Sequence, residues 1–595
     1  MAVTSLQITK RTAVLDGRPF GAAGAYEKIV GVLRLGVHPT HPANQAIADL
    51  AAAPRSAAGL VECDADFYVL RPRDSARGNR RLLLDVPNRG RKVALGMLNS
   101  TPRVPDPTTP EDFGNGFLMR RGYTVGWCGW QHDVPRQDGL MALTVPTARD
   151  GNGPISGPVS CEWRPNARVA TLPMADRYHL AHPTADLADP AARLTVREHA
   201  GAPAVAIART AWRFASATRI SLDGDFEAGK IYELVYRAEH PPLVGLGLLA
   251  VRDTAAWLRS ASAADGNPCA AELERAYVLG VSQTGRFLRH FLYLGLNEDE
   301  AGHRVFDGLI AHVAGARRGE FNHRFGQPSL NSTCSVGSQF PFSDTPEVDP
   351  LTGERGAMLA RLEARGTLPP PDADPNTGSR GLQMFNVVDY APLLRATLVN
   401  LDRWVTDGVE PPPSAVPRLA DGTAVSAESL RPRFTRIPGV RFPDRIERPR
   451  RLDFGRDLDR GVVHELPPKI GAPFVTFVPS VDDDGNDVPG FRPVELLTPL
   501  ATYAGWNPRH PDQGAPGDLM SMLGSTLPFP PTRAARQASG DPRLSIEERY
   551  PSRADYLAHV REAATRLVAQ RHMLAEDVDA VIERAGRLWD FIARA

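Results

Sequence analysis

Residues Ala276 to Arg286 read AYVLGVSQTGR, and the fold is read outward from them. Tyr277 to Gly280 is a short apolar, β-prone run that leads into Ser282. After it, Phe287, Leu288, Phe291, Leu292 and Leu294 recur at helical spacing. Strand, sharp turn, serine, helix is the order of a nucleophile elbow, in which a strained turn lifts a hydroxyl clear of a sheet. Gly280 and Gly285 are expected where strand and helix approach closely. The usual pattern is G-x-S-x-G; here it is G-V-S-Q-T-G, with the second glycine one place late. Gln283 would open the helix, and its N–H is a candidate oxyanion donor.

The flanking segments repeat this grammar. Arg80 to Val86, RRLLLDV, reads as a buried strand ending in Pro87-Asn88-Arg89-Gly90-Arg91. A glycine loop after an early strand is where a second oxyanion donor is expected, which singles out Asn88, Arg89 and Gly90. Gly122 to Trp130 reads as a parallel core strand followed by Gln131, His132 and Asp133 at its carboxyl end, the ligand side of open α/β sheets. Gly247 to Ser260 has a helical stripe, and Val305 to Gly315 reads as the next buried strand. The series predicts a doubly wound α/β fold.

At 595 residues the chain exceeds one core, and five parts are expected. They are a β-rich N-terminal extension over 1–70, the first core part over 71–133, an inserted subdomain over 134–243, the second core part over 244–408, and a C-terminal region over 409–595 with a mostly helical tail. The 1–70 part is expected to be an edge sheet packed on the main domain, with strands over Leu6–Val14, Ile29–Val37 and Phe67–Arg71 and a short helix over Asn44–Ala51. Strands are expected in the insertion over Ala204–Phe214, Thr218–Leu222 and Ile231–Tyr236. Helices are expected over Gly356–Arg365 and Tyr390–Val405, and a strand over Ala472–Pro479.

Sixty-nine basic and 69 acidic residues cancel, so no general attraction to nucleic acid or anionic membranes is implied. Five dispersed cysteines without a C-x-x-C pair fit reduced thiols and no zinc site. MAVTSLQITKRTAVLDG has no apolar signal core and no apolar run reaches membrane length, so a cytoplasmic protein is expected. His179, His182 and Asp186 suggest a metal only until Pro183 is noticed, which breaks the helix that would align them. Asp482 to Asp487, DDDGND, lacks the alternation of a calcium loop and reads as a surface turn. No metal and no cofactor are expected, and nothing in the pattern specifies an oligomer.

Several segments together carry a resemblance. They are DVPNRGRK (85–92), GNGFLMRRGYTVGWCGWQ (114–131), GVSQTGRFLRHFLYLGLN (280–297), FDGLIAHVAGARRGEFNHRF (306–325), LDRWVTDGVEPPPS (401–414), TYAGWNPR (502–509) and DPRLSIEERYPS (541–552). Over nearly its whole length the chain resembles a large, poorly characterised group of bacterial α/β-hydrolase domain proteins. The resemblance implies an α/β-hydrolase-like, mostly parallel sheet flanked by helices. It also implies an esterase-like hydrolase with Ser282 as nucleophile and a small-molecule carboxylic ester as substrate. Members of the group carry an E-Y-W motif with the acid and a G-T-Q-H-like motif with the histidine ahead of the LDRWV helix. Neither motif is in this chain, and 365–387 is short and polar.

The substitute partners are therefore sought in loops that leave the sheet after Ser282, as the order serine, acid, histidine requires. His323 is the candidate base, with Glu320 or Asp344 to orient it; His312 and His510 are the fallbacks. The alternative reading is a non-catalytic binding or structural protein that keeps the hydrolase shell without its acid and histidine. A third is a product that has lost a functional segment and is poorly stable.

Overall fold

The computed structural model describes residues 3–330 except 103, 138, 152, 177 and 316, the strand residues 347–348 and 355–356, and residues 380–593. Of the helix expected over Gly356–Arg365 only Gly356 is described, in a two-residue strand with Arg355; its other residues and the candidate Asp344 lie outside the described residues.

One eight-stranded sheet organises the chain. In spatial order its path runs β1 (Val3–Ala13), β2 (Tyr26–Val37), β3 (Val61–Pro72), β5 (Thr124–Cys128), β4 (Arg81–Asp85), β6 (Arg275–Val281) and β7 (Gly308–His312). The short strand Leu143–Thr144 pairs with β3 off this path. From β5 to β7 every pairing is parallel. From β1 to β5 the pairings are antiparallel. The sheet is thus mixed rather than mostly parallel. The first three strands are joined without crossover helices, which leaves antiparallel pairing as their route into a sheet. They extend the main sheet instead of packing on it. The helix expected over Asn44–Ala51 is two 3-10 turns, Pro42–Asn44 and Leu50–Ala52.

Alternation along each strand sends side chains to two cores. Ala276 and Val278 join Leu82, Leu84, Phe287, Phe291 and helix α1 (Leu246–Ser260) on one face. Tyr277, Leu279 and Val281 join Leu83, Trp127, Ile310, Leu394 and Leu398 on the other. Helix α3 (Ala391–Asp407) runs beneath β6 and β7: Leu401 lies under Gly308, and Asp402 Oδ1 accepts from Tyr277 OH at 2.6 Å and Arg81 Nε at 2.9 Å.

Between β5 and α1 the chain builds, besides a two-stranded ladder of Arg149–Asp150 with Gly153–Pro154, two larger antiparallel sheets. Four strands pair in the order Val205–Ile207, Arg193–Arg197, Ile231–Glu239, Ser156–Trp163, and three in the order Val169–Pro173, Arg219–Phe226, Trp212–Ser216. They share a core of Val159, Leu194, Phe214, Ile220, Phe226 and Leu234. The two ends of this segment are tied by Ala148 N–H to Pro241 O and Leu243 N–H to Pro146 O. Towards the C-terminus, helices α4 (Arg553–Ala569) and α5 (Val578–Ile592) bury Tyr556, Val560 and Leu567 against Val387, Leu500 and Tyr503. In the stretch expected as one strand over Ala472–Pro479, the strands are Lys469–Pro473 and Val478–Pro479.

Candidate active site

Ser282 sits between the end of β6 and helix α2 (Gln283–Tyr293) with φ 57° and ψ −108°. A non-glycine residue held there carries strain of roughly 1–3 kcal/mol, and the surroundings must over-determine it. They do. Ser282 N–H donates to His312 O at 2.8 Å, and its carbonyl accepts from Arg286 N–H at 3.0 Å. Thr284 Oγ1 accepts from Val281 N–H at 2.8 Å and donates to Val281 O at 3.2 Å, clasping the turn. A Cβ on Gly280 would fall 2.3 Å from Thr284 O, and one on Gly285 would fall 2.7 Å from His312 O. The displaced glycine therefore does its work at position 285, where α2 crosses the end of β7.

The loop after β4 lies against this turn. Asn88 Nδ2 donates to Val281 O at 2.6 Å. Gly90, at φ 80°, leaves no room for a side chain: its Cβ would meet Val134 at 2.8 Å. Arg89 is left-handed at φ 49°, and its N–H donates to Gln283 Oε1 at 2.9 Å. Asn88 N–H is taken by Arg91 O at 2.9 Å. As the first residue of α2, Gln283 has no acceptor within the helix for its own N–H, which points out with the positive end of the helix dipole. Asp85 anchors the loop from below: its Oδ2 accepts from Val93 and Ala94 N–H at 2.7 Å and from Trp127 Nε1 at 2.5 Å. Burial raises the Asp85 carboxyl to about 6 against those bonds.

A polar layer above the elbow was not foreseen as a unit. Gln283 Nε2 donates to Gln131 Oε1 at 2.9 Å and to Pro328 O at 3.0 Å. Gln131 Nε2 donates to Asp133 Oδ1 at 2.6 Å and to Ser329 Oγ at 2.8 Å. Burial raises Asp133 to about 6. Beside it, His179 Nδ1 pairs with Asp176 Oδ1 at 2.8 Å. Burial works against the His179 charge, but the Asp176 bond and the Asp133 and Asp176 charges outweigh it, and the pKa is raised. His132 stacks on His182 at 6.1 Å, and burial lowers the two to about 3 and about 4. The sequence signal was Gln131-His132-Asp133 at a strand's carboxyl end; what it lacked was the 152-residue jump to Gln283.

The proposed acid and base are placed as follows. Glu320 is buried, and its Oε2 accepts from Gln327 N–H at 3.0 Å. His323 has a buried Nδ1 without a hydrogen bond. Burial and the Arg318 charge lower it to about 4, and its own charge acts on His290, two helical turns beyond Ser282. His312 is buried at the end of β7, beside the elbow in register with Val281. His510 caps the turn Pro511–Gln513. Among the described residues, no side chain is hydrogen-bonded to Ser282 Oγ, and the sheet ends on this side at β7. Among the described residues no group of three or more His, Cys, Asp or Glu is placed to hold a metal ion, and no helix is long and apolar enough to cross a membrane.

A serine with left-handed φ between a parallel strand and a helix, facing a glycine loop from the neighbouring strand, defines an α/β-hydrolase fold. A family model described as "Alpha/beta hydrolase domain" matches residues 191–346 and 356–583, and the chain belongs to that family. No curated protein and no solved structure matches it.

Proposed function

We propose that the protein is a serine hydrolase that cleaves a carboxylic ester, with Ser282 as nucleophile. The observation that carries this is the Ser282 backbone, held at φ 57° and ψ −108° by its neighbours at a cost that a plain surface serine would not need. Ser282 Oγ attacks the ester carbonyl carbon while its proton passes to a base. The carbonyl oxygen gains negative charge and is met by the Gln283 N–H. Collapse expels the alcohol, which takes up the proton and leaves an acyl-serine. Water then attacks the acyl carbon, releases the carboxylic acid and restores the serine.

The second oxyanion donor in this reading is Arg89 N–H, freed when the Gln283 carboxamide rotates away. The base is His323, oriented by Glu320. Glu320 is engaged by Gln327, and the segment around His323 is held by Phe321 in the core, by Asn322 bonded to Ala46 O and Ala48 N–H and by Arg324 paired with Asp49, so the pairing requires these contacts to open.

Two observations favour a second reading, a binding protein with a hydrolase shell: Arg89 N–H is already occupied, and no described side chain bonds Ser282 Oγ. A fluorophosphonate probe separates the two. Labelling of native protein that is lost in Ser282→Ala supports the hydrolase; no labelling of folded native protein supports the binding protein.

A further inference from the structure

Arg286 stands one helical turn after Ser282 and is only 9% exposed. Arg71, Arg197, Arg252, Arg395 and Arg543 are as deeply buried, and each is held by a carboxylate. Arg286 is not. Burial and the charges of Arg89 and Arg317 act against its own, Glu320 pulls the other way, and no hydrogen bond to its guanidinium is among the influences on it. Arg89, on the loop facing the elbow, has a buried Nε without a hydrogen bond. Its guanidinium lies 5.2 Å from the centre of the Tyr178 ring and reaches Asn88 Oδ1 and Ser329 O only at 3.2 and 3.3 Å. Among the described residues Arg286 has no carboxylate bonded to it, Arg89 has only the more distant charges of Asp176 and Asp133, and a planar fork of donors matches a carboxylate or phosphate.

We propose that Arg286, together with Arg89, binds an anionic group, carboxylate or phosphate, on the ester that Ser282 attacks. This names the substrate class and rests on the hydrolase reading of Ser282. Arg286 is a binding residue here. Its backbone N–H bonds the Ser282 carbonyl at 3.0 Å, so the guanidinium is carried by the same turn as the nucleophile.

The test compares three p-nitrophenyl esters on the full chain: butyrate, succinate monoanion and 3-phosphonopropanoate. The native protein is expected to favour one of the anionic esters in kcat/KM, and which one identifies the anion. Arg286→Gln is expected to lower the anionic-to-neutral ratio by roughly 10- to 100-fold, the effect of losing a charged hydrogen bond. Arg286→Lys, which keeps the charge and loses the fork, is expected to fall between. The ratio is insensitive to general damage. If Arg286→Gln does not fold, the comparison is made with Arg286→Lys and with competitive inhibition of butyrate hydrolysis by inorganic phosphate and by succinate. A native preference for butyrate, or a ratio unmoved by both substitutions, overturns the proposal while the hydrolase reading stands. No Ser282-dependent turnover of any ester removes the hydrolase reading and this proposal with it.

Discussion

Arg89 N–H donates to the side-chain oxygen of Gln283, the residue that follows the elbow serine, at 2.9 Å. The loop after β4 and the start of α2 are thus latched by a side chain that also bonds Gln131 and Pro328. Gln283→Ala would leave Arg89 N–H, Gln131 Oε1 and Pro328 O without their partner. The expected loss is about 1–3 kcal/mol of stability, read as a fall in the urea midpoint with unchanged slope. An unchanged midpoint would show that the latch contributes nothing.

Gly280 is fixed by contact, not by φ. Its added Cβ would lie 2.3 Å from Thr284 O, a backbone atom that cannot yield without opening the elbow. Gly280→Ala is expected to cost at least about 2 kcal/mol or to prevent folding. Gly422→Ala, with open space around its Cβ but a left-handed φ of 73°, serves as the control for backbone strain alone. Thermal melts of the two variants make the comparison.

The C-terminal helices are pinned to the core by Arg395 and Asp577, both buried, with Nη2 to Oδ1 at 2.8 Å and Arg395 Nη1 to Ser100 Oγ at 2.9 Å. Asp577→Ala leaves an uncompensated buried guanidinium. About 3–5 kcal/mol is expected to be lost, and protease cutting before α4 should quicken.

Acid should destabilise the fold. His132, His182 and His323 are lowered to about 3, 4 and 4 by burial. Their contribution is present above the unfolded pKa near 6.5 and is lost as pH falls through the folded values. Asp85 and Asp133, raised to about 6, act in the opposite sense: their contribution is present below the unfolded carboxyl pKa and is lost as pH rises through 6. Near pH 5 the unfolded chain takes up three histidine protons against two carboxyl protons in the folded one. Each group that is protonated in one state and not in the other contributes about 1 kcal/mol per pH unit to the slope. His323→Gln is expected to flatten the slope by about that amount, measured by urea unfolding from pH 4.5 to 7. An unaltered slope would mean that His323 is not held neutral.

The elbow was legible in AYVLGVSQTGR because a β-prone run, two glycines and a helical stripe occur in one short stretch. The left-handed φ of Ser282 was not, since it depends on His312 O and Thr284 reaching the turn. β4, β5 and α1 were legible from apolar runs and periodicity. The strands Ser156–Trp163, Val169–Pro173 and Arg193–Arg197 were missed: prolines and polar residues interrupt them, and their pairing partners lie far along the chain. The polar layer was hidden for the same reason. Gln131, Gln283 and Ser329 come together only when three loops meet over one sheet edge, and a lone glutamine has no local signature. The special environment of Arg286 was equally invisible, because an arginine in a polar helix turn reads as exposed until its burial is known.

Everything proposed for the site depends on Ser282 being a nucleophile. The most direct measurement is intact-mass detection of a fluorophosphonate adduct at pH 7.5 on native protein and on Ser282→Ala. One adduct is expected on the native chain, located to the peptide carrying Ser282, and none on the variant. A cooperatively folded native protein that forms no adduct, or an adduct that survives Ser282→Ala, would contradict it.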